Sequence, residues 1–251
     1  MTTRSATIDP ADVARFAEIS DKWWDESGPF APIHRINPAR LGYIKSTLAR
    51  HFDRDDKSLQ SLKALKILDI GCGGGLVCEP LARLGAIVTG IDADQNAIDV
   101  ARMHAAKADL PNAPVYICSS SEEMAQKSKG QFDVVLALEI VEHVADVETF
   151  VQNVTDLCKP GGVIIFSTLN KTLKSMLMAK IAAEYILRWV PAGTHDWKKF
   201  MRPSSLSNAL RRAGATPFEA KGLVFNPLKN SFAMSDHDLD VNYFIAARKD
   251  K

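Results

Sequence analysis

A run of apolar residues that ends in a cluster of glycines constrains this chain more than any other feature. Residues 67–75 read Ile-Leu-Asp-Ile-Gly-Cys-Gly-Gly-Gly, a pattern typical of a buried strand that enters a tight turn. The dinucleotide-binding fingerprint G-x-G-x-x-G requires a third glycine at position 76, where this chain has Leu76. Because glycine lacks a Cβ, the backbone at Gly71, Gly73 and Gly75 can approach a ligand closely. The loop is therefore predicted to bind a nucleotide-bearing ligand, but not a pyrophosphate seated on a helix N-terminus.

A carboxylate follows the next apolar run, at the distance expected of a residue that binds ribose. Asp92 comes directly after the segment 86–91 and about 20 residues after the loop. A charged acceptor forms the stronger kind of hydrogen bond, so Asp92 can hold both ribose hydroxyls. Asp69, in the first strand, is predicted to receive a ligand ammonium, with a turn-capping role as the alternative. A glycine loop and a ribose acid without the pyrophosphate spacing indicate S-adenosylmethionine.

Composition and charge argue against several classes of protein. The chain has 251 residues, enough for one large α/β domain or two small ones. Its net charge is +1, so no overall charge favours nucleic acid. We expect neither a signal peptide nor a membrane-spanning helix, because the N-terminal residues do not form an apolar core and the sequence contains no run of about 18 apolar residues. The cysteines lack C-x-x-C and zinc spacing and predict buried thiols in a reducing compartment. They are Cys72, Cys78, Cys118 and Cys158.

Strand and helix patterns alternate along the middle of the chain. Short apolar runs predict the strands, and segments with an apolar residue at every third or fourth position predict the helices between them. Such alternation implies parallel β-α units joined by right-handed crossovers. The predicted strands cover 66–70, 87–91, 115–117, 132–138 and 163–167.

The N-terminal part of the chain departs from this alternation. Two predicted helices, one from Pro10 and one over 38–52, precede the first strand. They predict a helical extension over 1–60 that caps a main domain over 61–251. The neighbouring pair Trp23-Trp24 is predicted to pack in the core, with a substrate slot as the alternative.

The C-terminal part departs from it in another way. Two late strands are predicted over 218–224 and 241–247, and the segment 226–238 between them is predicted to be a long loop. Strands that are joined without a helix predict a hairpin. The sheet is therefore expected to carry an antiparallel edge.

A second group of polar residues follows the predicted strand 132–138. Glu139, Glu142 and His143 read Glu-x-x-Glu-His, at the end of a strand where ligands of open α/β sheets bind. Carboxylate oxygens and imidazole suit Mg²⁺ or Zn²⁺. His143 can instead act as a general base without a metal, because histidine titrates near neutral pH. The alternative is the acidic first turn of a helix with a chance histidine.

The segment 171–191 repeats apolar residues at every fourth position and carries an excess of positive charge. The repeated residues are Leu173, Leu177, Ile181 and Tyr185. A basic amphipathic helix with a tryptophan can lie on an anionic membrane surface, whereas the alternative is an ordinary amphipathic core helix. Its place after the fifth predicted strand, as an insert over 171–200, favours the membrane contact.

These residues resemble a known enzyme family. The glycine loop and Asp92 are similar to those of class I S-adenosylmethionine-dependent methyltransferases, and further motifs resemble the ubiquinone biosynthesis O-methyltransferase family. Those motifs are Arg35-Ile36-Asn37-Pro38 with Arg40-Leu41-Gly42-Tyr43-Ile44, the segments 139–144, 166–170 and 193–196, and the ending Asp240-Val241-Asn242-Tyr243. The resemblance runs from about Phe16 to the C-terminus.

The resemblance implies a fold, a reaction and a set of site residues. The fold would be Rossmann-like α/β, with a seven-stranded, mostly parallel sheet and an antiparallel last strand. The reaction would be two O-methylations, of polyprenyl catechol and demethylubiquinol intermediates. The cofactor residues would be Arg40, Gly71, Asp92 and Leu138, the last at a position where the family usually has methionine. The residues for Mg²⁺ or another divalent cation would be Glu139, Glu142 and His143, the last two being catalytic.

The resemblance also implies a location and partners. Bacterial members of the family are associated with membrane lipid through the segment that matches 171–191, so a cytoplasmic protein at the face of the inner membrane is expected. Other enzymes of ubiquinone biosynthesis are expected partners, and nucleic acid is not. Two alternatives remain: a methyltransferase of another small acceptor, and a non-catalytic protein that binds S-adenosylmethionine.

Overall fold

The computed structural model describes residues 7–8, 10–177 and 197–251. In this part of the chain, eight strands form one sheet with helices packed on both faces. The strands are β1 (Lys66–Ile70), β2 (Ile87–Asp92), β3 (Val115–Cys118), β4 (Phe132–Leu138), β5 (Cys158–Leu169), β6 (Ala215–Asn226), β7 (Ser231–Ser235) and β8 (Asn242–Lys249). The helices are α1 (Pro10–Ala17), α2 (Ala31–His51), α3 (Cys78–Arg83), α4 (Gln95–Lys107), α5 (Ser121–Ser128), α6 (Val147–Leu157), α7 (Leu173–Ser175) and α8 (Pro203–Arg212).

The sheet has the strand order β3-β2-β1-β4-β5-β8-β6-β7. The first five strands in this order are parallel, and β8 runs antiparallel to both of its neighbours, β5 and β6. The predicted α/β fold with a mostly parallel sheet is confirmed. The predicted count of seven strands is wrong, because β7 forms within the segment that was expected to be a loop. The predicted antiparallel last strand is confirmed, since β8 pairs antiparallel with β5 and β6, and the edge strand β7 is antiparallel to β6.

The extra strand arises from a tight turn after β6. The side-chain oxygen of Asn226 accepts hydrogen bonds from the backbone amides of Leu228 and Lys229, at 3.0 and 3.2 Å. This Asx-type turn reverses the chain, so that Phe225 pairs with Phe232 on β7. The sequence pattern of β7 is short and alternates polar with apolar residues, which is too little signal for a prediction by itself.

Alternation along the strands divides the core into two layers. Ile67 of β1 belongs to the layer that contains Ile44 of α2 and Leu81 of α3. Leu68, the next residue, belongs to the layer formed with α6 and α8, which contains Phe150. All of these side chains are almost fully buried. The sheet therefore is covered on both faces, as expected for parallel strands.

The helix predicted over 38–52 is longer than its sequence pattern indicated. It begins at Ala31, so Pro38 lies in its interior, where proline removes a backbone hydrogen bond and costs about 3 kcal/mol. Tertiary contacts offset this cost. The Asn37 side chain donates to the Leu76 carbonyl at 3.0 Å, and Ile44 is fully buried against the sheet. Helix α1 begins at Pro10, as predicted.

The predicted amphipathic segment falls largely on residues 178–196, outside the described residues. Its described start contains α7, with Leu173 70% and Leu177 52% exposed. The ammonium group of Lys174 binds Asp238 and Asp240, at 2.8 and 3.2 Å. Among the described helices, none has both the length and the apolar character needed to cross a membrane.

Candidate active site

The carboxyl ends of β1, β2 and β4 open onto a cavity of about 770 Å³, at the place where open α/β sheets bind ligands. Most of the site residues predicted from the sequence lie in its wall. They are Arg40, Asp69, Gly71, Asp92, Leu138, Glu139, Glu142 and His143. Within the described part of the chain, Gly73 and Gly75 lie outside this wall. The structure thus brings the two predicted groups of residues, one for the cofactor and one for the chemistry, around the same space.

Three of the loop glycines make room for the protein's own side chains. Gly73 has a φ of +50°, and a Cβ there would lie 2.3 Å from the Trp23 ring. Gly75 has a φ of +86°, and a Cβ there would lie 2.3 Å from the Tyr116 hydroxyl. Residues that have a Cβ rarely adopt a positive φ, and a Cβ this close to another side chain would clash with it. Gly71 also has a positive φ, of +73°, and a Cβ there would lie 2.9 Å from Ile140 Cδ1. Internal packing therefore requires glycine at all three positions, and of the three only Gly71 also lines the cavity.

Asp92 is fixed at the end of β2 by two backbone amides. Gly73 donates to its Oδ2 and Asp94 to its Oδ1, each at 2.9 Å. Burial raises the pKa of Asp92, and these amides act against the rise. Because a carboxylate offers about four lone-pair positions, each oxygen can accept one more donor. Asp94 also caps α4 through the Asn96 amide and accepts a hydrogen bond from Ser20 of the N-terminal extension.

Arg40 is a buried guanidinium among buried acids. It is 4% exposed, and burial lowers its pKa while Glu139, Asp69 and Glu142 raise it. In the described part of the chain, its Nε and Nη2 have no hydrogen-bond partner. Buried donors without a partner cost free energy, so the arrangement suits a ligand that brings an anionic group, such as a carboxylate.

Asp69 is 2% exposed and accepts a hydrogen bond from the Cys78 thiol at 3.4 Å. Burial raises the pKa of Asp69 to about 7, while Cys78 and Arg40 act to lower it. The residue lies within β1 and bonds to a side chain of α3, which does not correspond to the turn-capping alternative. A cationic ligand group beside Asp69 would favour its ionised form.

The Glu-x-x-Glu-His motif lies in a loop and a short 3-10 turn. Glu139 has a φ of 53°, a region that residues other than glycine rarely adopt, and the turn covers Val141–His143. The next α-helix begins only at Val147. The alternative interpretation, an acidic first helical turn, is therefore wrong.

Glu139 is held by the two strands beside it. Its carboxylate accepts hydrogen bonds from Asn242 Nδ2, at 3.0 and 2.9 Å to its two oxygens, and from Ser167 Oγ at 2.6 Å. Its backbone amide donates to the Ser167 carbonyl at 2.9 Å. Backbone strain of about 1–3 kcal/mol persists where the surroundings fix it. Here β5 and β8 hold the strained residue at the edge of the cavity.

Glu142 and His143 present one buried acid and one half-buried imidazole to the cavity. Glu142 is 5% exposed and accepts a hydrogen bond from Thr168 Oγ1 at 2.8 Å. Burial and the charge of Glu139 raise the pKa of Glu142, whereas His143 lowers it. The His143 ring packs edge-to-face with Phe16 of α1, with centroids 5.4 Å apart. A helix of the N-terminal extension thus orients the imidazole.

Trp23 is a wall residue that the sequence assigned by default to the core. Its ring stacks on Phe30 with centroids 3.7 Å apart, covers Gly73 and Gly74, and lines the cavity. The neighbouring Trp24 donates its indole N–H to the Gly74 carbonyl at 2.9 Å. The two tryptophans therefore cover the glycine loop. The sequence feature that could have indicated a residue of the cavity wall is the occurrence of two adjacent tryptophans in a polar segment.

Comparison with known proteins decides the family. A family model described as a methyltransferase domain matches residues 33–219. The ubiquinone biosynthesis O-methyltransferase of Dinoroseobacter shibae is 47% identical over 247 residues, which cover 98% of each chain. The protein of the same name from Azorhizobium caulinodans is 48% identical over 98% of this chain and 96% of its own. This chain belongs to the ubiquinone biosynthesis O-methyltransferase family.

Solved structures agree with the family at the level of the fold. The magnesium protoporphyrin IX methyltransferase of Synechocystis, with bound SAH, has a TM-score of 0.63 at 19% identity and covers 95% of this chain and 94% of its own. A SAM-dependent methyltransferase from Thermotoga maritima has a TM-score of 0.65 at 16% identity, with 95% and 99% coverage. The Rossmann-like methyltransferase fold predicted for this family member is confirmed.

The metal site that the family resemblance implied gains no support from the side-chain arrangement. Among the described residues, no group of three or more His, Cys, Asp or Glu side chains is placed to hold a metal ion. Both oxygens of Glu139 accept hydrogen bonds from Asn242, and Glu142 accepts one from Thr168. Neutral donors therefore occupy three acceptor positions of Glu139 and one of Glu142. As they are arranged, Glu139, Glu142 and His143 do not fit a divalent ion.

Proposed function

We propose that this family member transfers the methyl group of S-adenosylmethionine to a hydroxyl of polyprenyl catechol and demethylubiquinol acceptors, at both O-methylation steps of ubiquinone biosynthesis. One observation carries the proposal: the ribose acid Asp92 and the pair Glu142–His143 line the same cavity. Full-length relatives at 47% and 48% identity are named for this pathway. The division into an extension over 1–60, a main domain over 61–251 and an insert over 171–200 remains part of the proposal.

In this proposal, the cofactor lies against β1, β2 and β4. Asp92 accepts the ribose hydroxyls with its remaining lone pairs, and the unpartnered donors of Arg40 bind the carboxylate of the methionine part. Asp69 faces the ammonium group, and Leu138 forms an apolar wall for the adenine. Arg40 and Asp69 both line the cavity, and each affects the pKa of the other as an opposite charge, which matches the opposite charges of an amino acid.

The chain has two tasks in the reaction itself. S-adenosylmethionine supplies a methyl group on a positive sulfur, so the carbon–oxygen bond forms as the carbon–sulfur bond breaks and its electron pair stays on sulfur. The protein must hold the acceptor oxygen in line with that bond, and such alignment can supply ~7–11 kcal/mol. It must also remove the hydroxyl proton, since a phenol has a pKa of about 10. We assign this proton to His143, with Glu142 holding the imidazolium that forms.

The proposal includes a peripheral location at the inner membrane. A polyprenyl acceptor is dissolved in lipid, and the exposed Leu173 and Leu177 stand at the described start of the segment 171–191. Flotation with anionic vesicles tests this, and equal recovery of the whole chain and of a chain without residues 173–189 would contradict it.

The proposed reaction is tested with methyl-labelled S-adenosylmethionine, a prenylated catechol and the matching demethylubiquinol. We expect label on the oxygen of both acceptors and no label on amine or carboxylate acceptors of similar size. Label on amines or carboxylates alone would support another small-molecule methyltransferase. Binding of S-adenosylmethionine without transfer to any acceptor would support a non-catalytic protein. Each assay is repeated with a chelator. A loss of turnover that Mg²⁺ restores would support the metal site that the family resemblance predicted at Glu139, Glu142 and His143.

Cofactor affinity should depend on pH through Asp69. The pKa of Asp69 is raised by burial to about 7, so below that pH the free protein holds this carboxyl largely protonated. An ammonium group binds the ionised form, and binding must then release a proton. Affinity should rise by about tenfold per pH unit towards pH 7 and level off above it. Calorimetry between about pH 5.5 and about pH 8 measures this.

The matched variant for this prediction is Asp69→Asn. Three groups face Asp69: the Cys78 thiol of α3, Arg40 of α2 and Asp92 of β2. Arg40 keeps its charge over this range, and burial raises the pKa of Asp92 as well. The variant should lose the part of the pH dependence that Asp69 contributes. An unchanged pH profile in Asp69→Asn would remove Asp69 from the cofactor site.

A further inference from the structure

An apolar strip runs along β6 and β7, away from the strained Glu139. On β6, Leu223 pairs with Asn242 of β8, and Phe225 pairs with Phe232 of β7. Directly paired residues of antiparallel strands share a face of the sheet, and so do residues two apart on one strand. Leu223, Phe225 and Phe232 therefore follow one another on the face that carries the Asn242 side chain.

This strip is a wall of the same cavity that contains the site. Leu223, Phe225 and Phe232 line it together with His143 and Asn242. The rings of Phe225 and Phe232 lie 5.1 Å apart and are tilted by 48°, so they form a continuous apolar surface.

Helix α2 contributes further apolar side chains to the cavity wall. Ile33 and Ile36 line the same space, and Ile36 packs against the core layer that includes Leu223. The cavity that contains the polar reaction centre therefore also has apolar residues of β6, β7 and α2 in its wall.

The strip leads to the protein surface at the turn of the β6–β7 hairpin. Leu228, in that turn, is 96% exposed, and its neighbour Pro227 lines the cavity. A strand rises by about 3.4 Å per residue, so the path from Leu223 to the end of β6 at Asn226, where the turn begins, is roughly 10 Å long. The path joins the reaction centre to an apolar residue in solvent.

We propose that this strip binds the isoprenoid tail of the acceptor and guides it to the surface beside Leu228. The inference rests on the proposed function, because it concerns the tail of the proposed substrate. A linear apolar chain gains free energy in proportion to the apolar area that it buries. The strip offers such area continuously from the ring site to the exterior. The tail consequently leaves the protein at the β6–β7 hairpin while the catechol ring stays beside Glu142 and His143.

The test compares two acceptors that differ only in the tail: a farnesyl catechol and the corresponding methyl catechol, assayed in the same detergent. In Phe232→Ala, KM for the farnesyl acceptor should rise by about tenfold, while KM and kcat for the methyl acceptor stay unchanged. Phe225→Trp, which fills the strip without removing apolar area, should also weaken only the farnesyl acceptor. Activity on the methyl acceptor reports that each variant is folded.

The control is Phe218→Ala. Phe218 lies on β6 as well, but it is 45% exposed, stacks on His51 and lies outside the cavity wall. Its replacement should affect neither acceptor. Equal effects of Phe232→Ala on both acceptors, or no effect on either, would overturn the tail site. A wild-type protein that methylates both acceptors with equal KM would overturn it and leave the proposed function standing. A wild-type protein that methylates neither would overturn both.

Discussion

Replacing His143 by alanine should lower kcat for the catechol acceptor by about 10²–10⁴-fold, the usual contribution of a general base. His143 lines the cavity, and Phe16 packs against its ring. Without the imidazole, the hydroxyl proton must leave to water, and the oxygen attacks mainly in its less reactive protonated form. The affinity for S-adenosylmethionine should not change, because Asp92 and Arg40 remain in place. Single-turnover kinetics and calorimetry measure the two quantities separately.

The control is His237→Ala, an exposed histidine of the β7–β8 connection, which should retain full activity. A second measurement separates a base from a structural support. At high pH the acceptor ionises in solution, so the activity of His143→Ala should approach that of the wild type. A loss in His143→Ala that is the same at every pH would assign the residue a positioning role only. Full activity at neutral pH in the presence of a chelator would remove it from the reaction.

Replacing Asp92 by alanine should raise the Kd for S-adenosylmethionine by about 100-fold or more. A hydrogen bond to a charged group contributes about 1.5–3 kcal/mol, Asp92 is proposed to form two of them, and about 1.4 kcal/mol corresponds to tenfold. The variant also removes the acceptor that fixes the amides of Gly73 and Asp94, at 2.9 Å each. The loop that forms the cavity wall should then be less ordered before the ligand binds.

The control for this variant is Asp99→Ala. Asp99 lies on the exposed side of α4 and forms a surface ion pair with Arg102, so cofactor binding should be unchanged. The 2′-deoxy analogue of S-adenosylhomocysteine isolates the ribose contact. The wild type should bind it more weakly than the parent compound, whereas Asp92→Ala should bind both equally. If the variant still distinguishes them, another residue binds that hydroxyl.

Much of the fold was predictable because its signals are local. The period of apolar residues distinguishes strands from helices, so β1 (Lys66–Ile70) and β4 (Phe132–Leu138) lie where the sequence predicted them. The failures have two causes. Helix α2 continues through Pro38, and one contact that supports it, from Asn37 to the Leu76 carbonyl, joins residues 39 positions apart, so no window of neighbouring residues contains it. Strand β7 pairs with β6, its neighbour in sequence, but its five residues alternate too briefly for the pattern to predict a strand.

The candidate site divides in the same way. The sequence by itself determined the residue types: the glycine loop, Asp92 and the motif of Glu139, Glu142 and His143 follow from spacing along single strands and turns. Only the tertiary structure decided that Trp23 covers Gly73, that Arg40 is buried among three acids, and that Asn242 holds Glu139 from 103 residues away. Spacing is fixed by the covalent chain and its allowed dihedral angles. Contacts between residues that are distant in sequence are fixed by the packing of the whole core, to which the sheet and the helices on both of its faces contribute together.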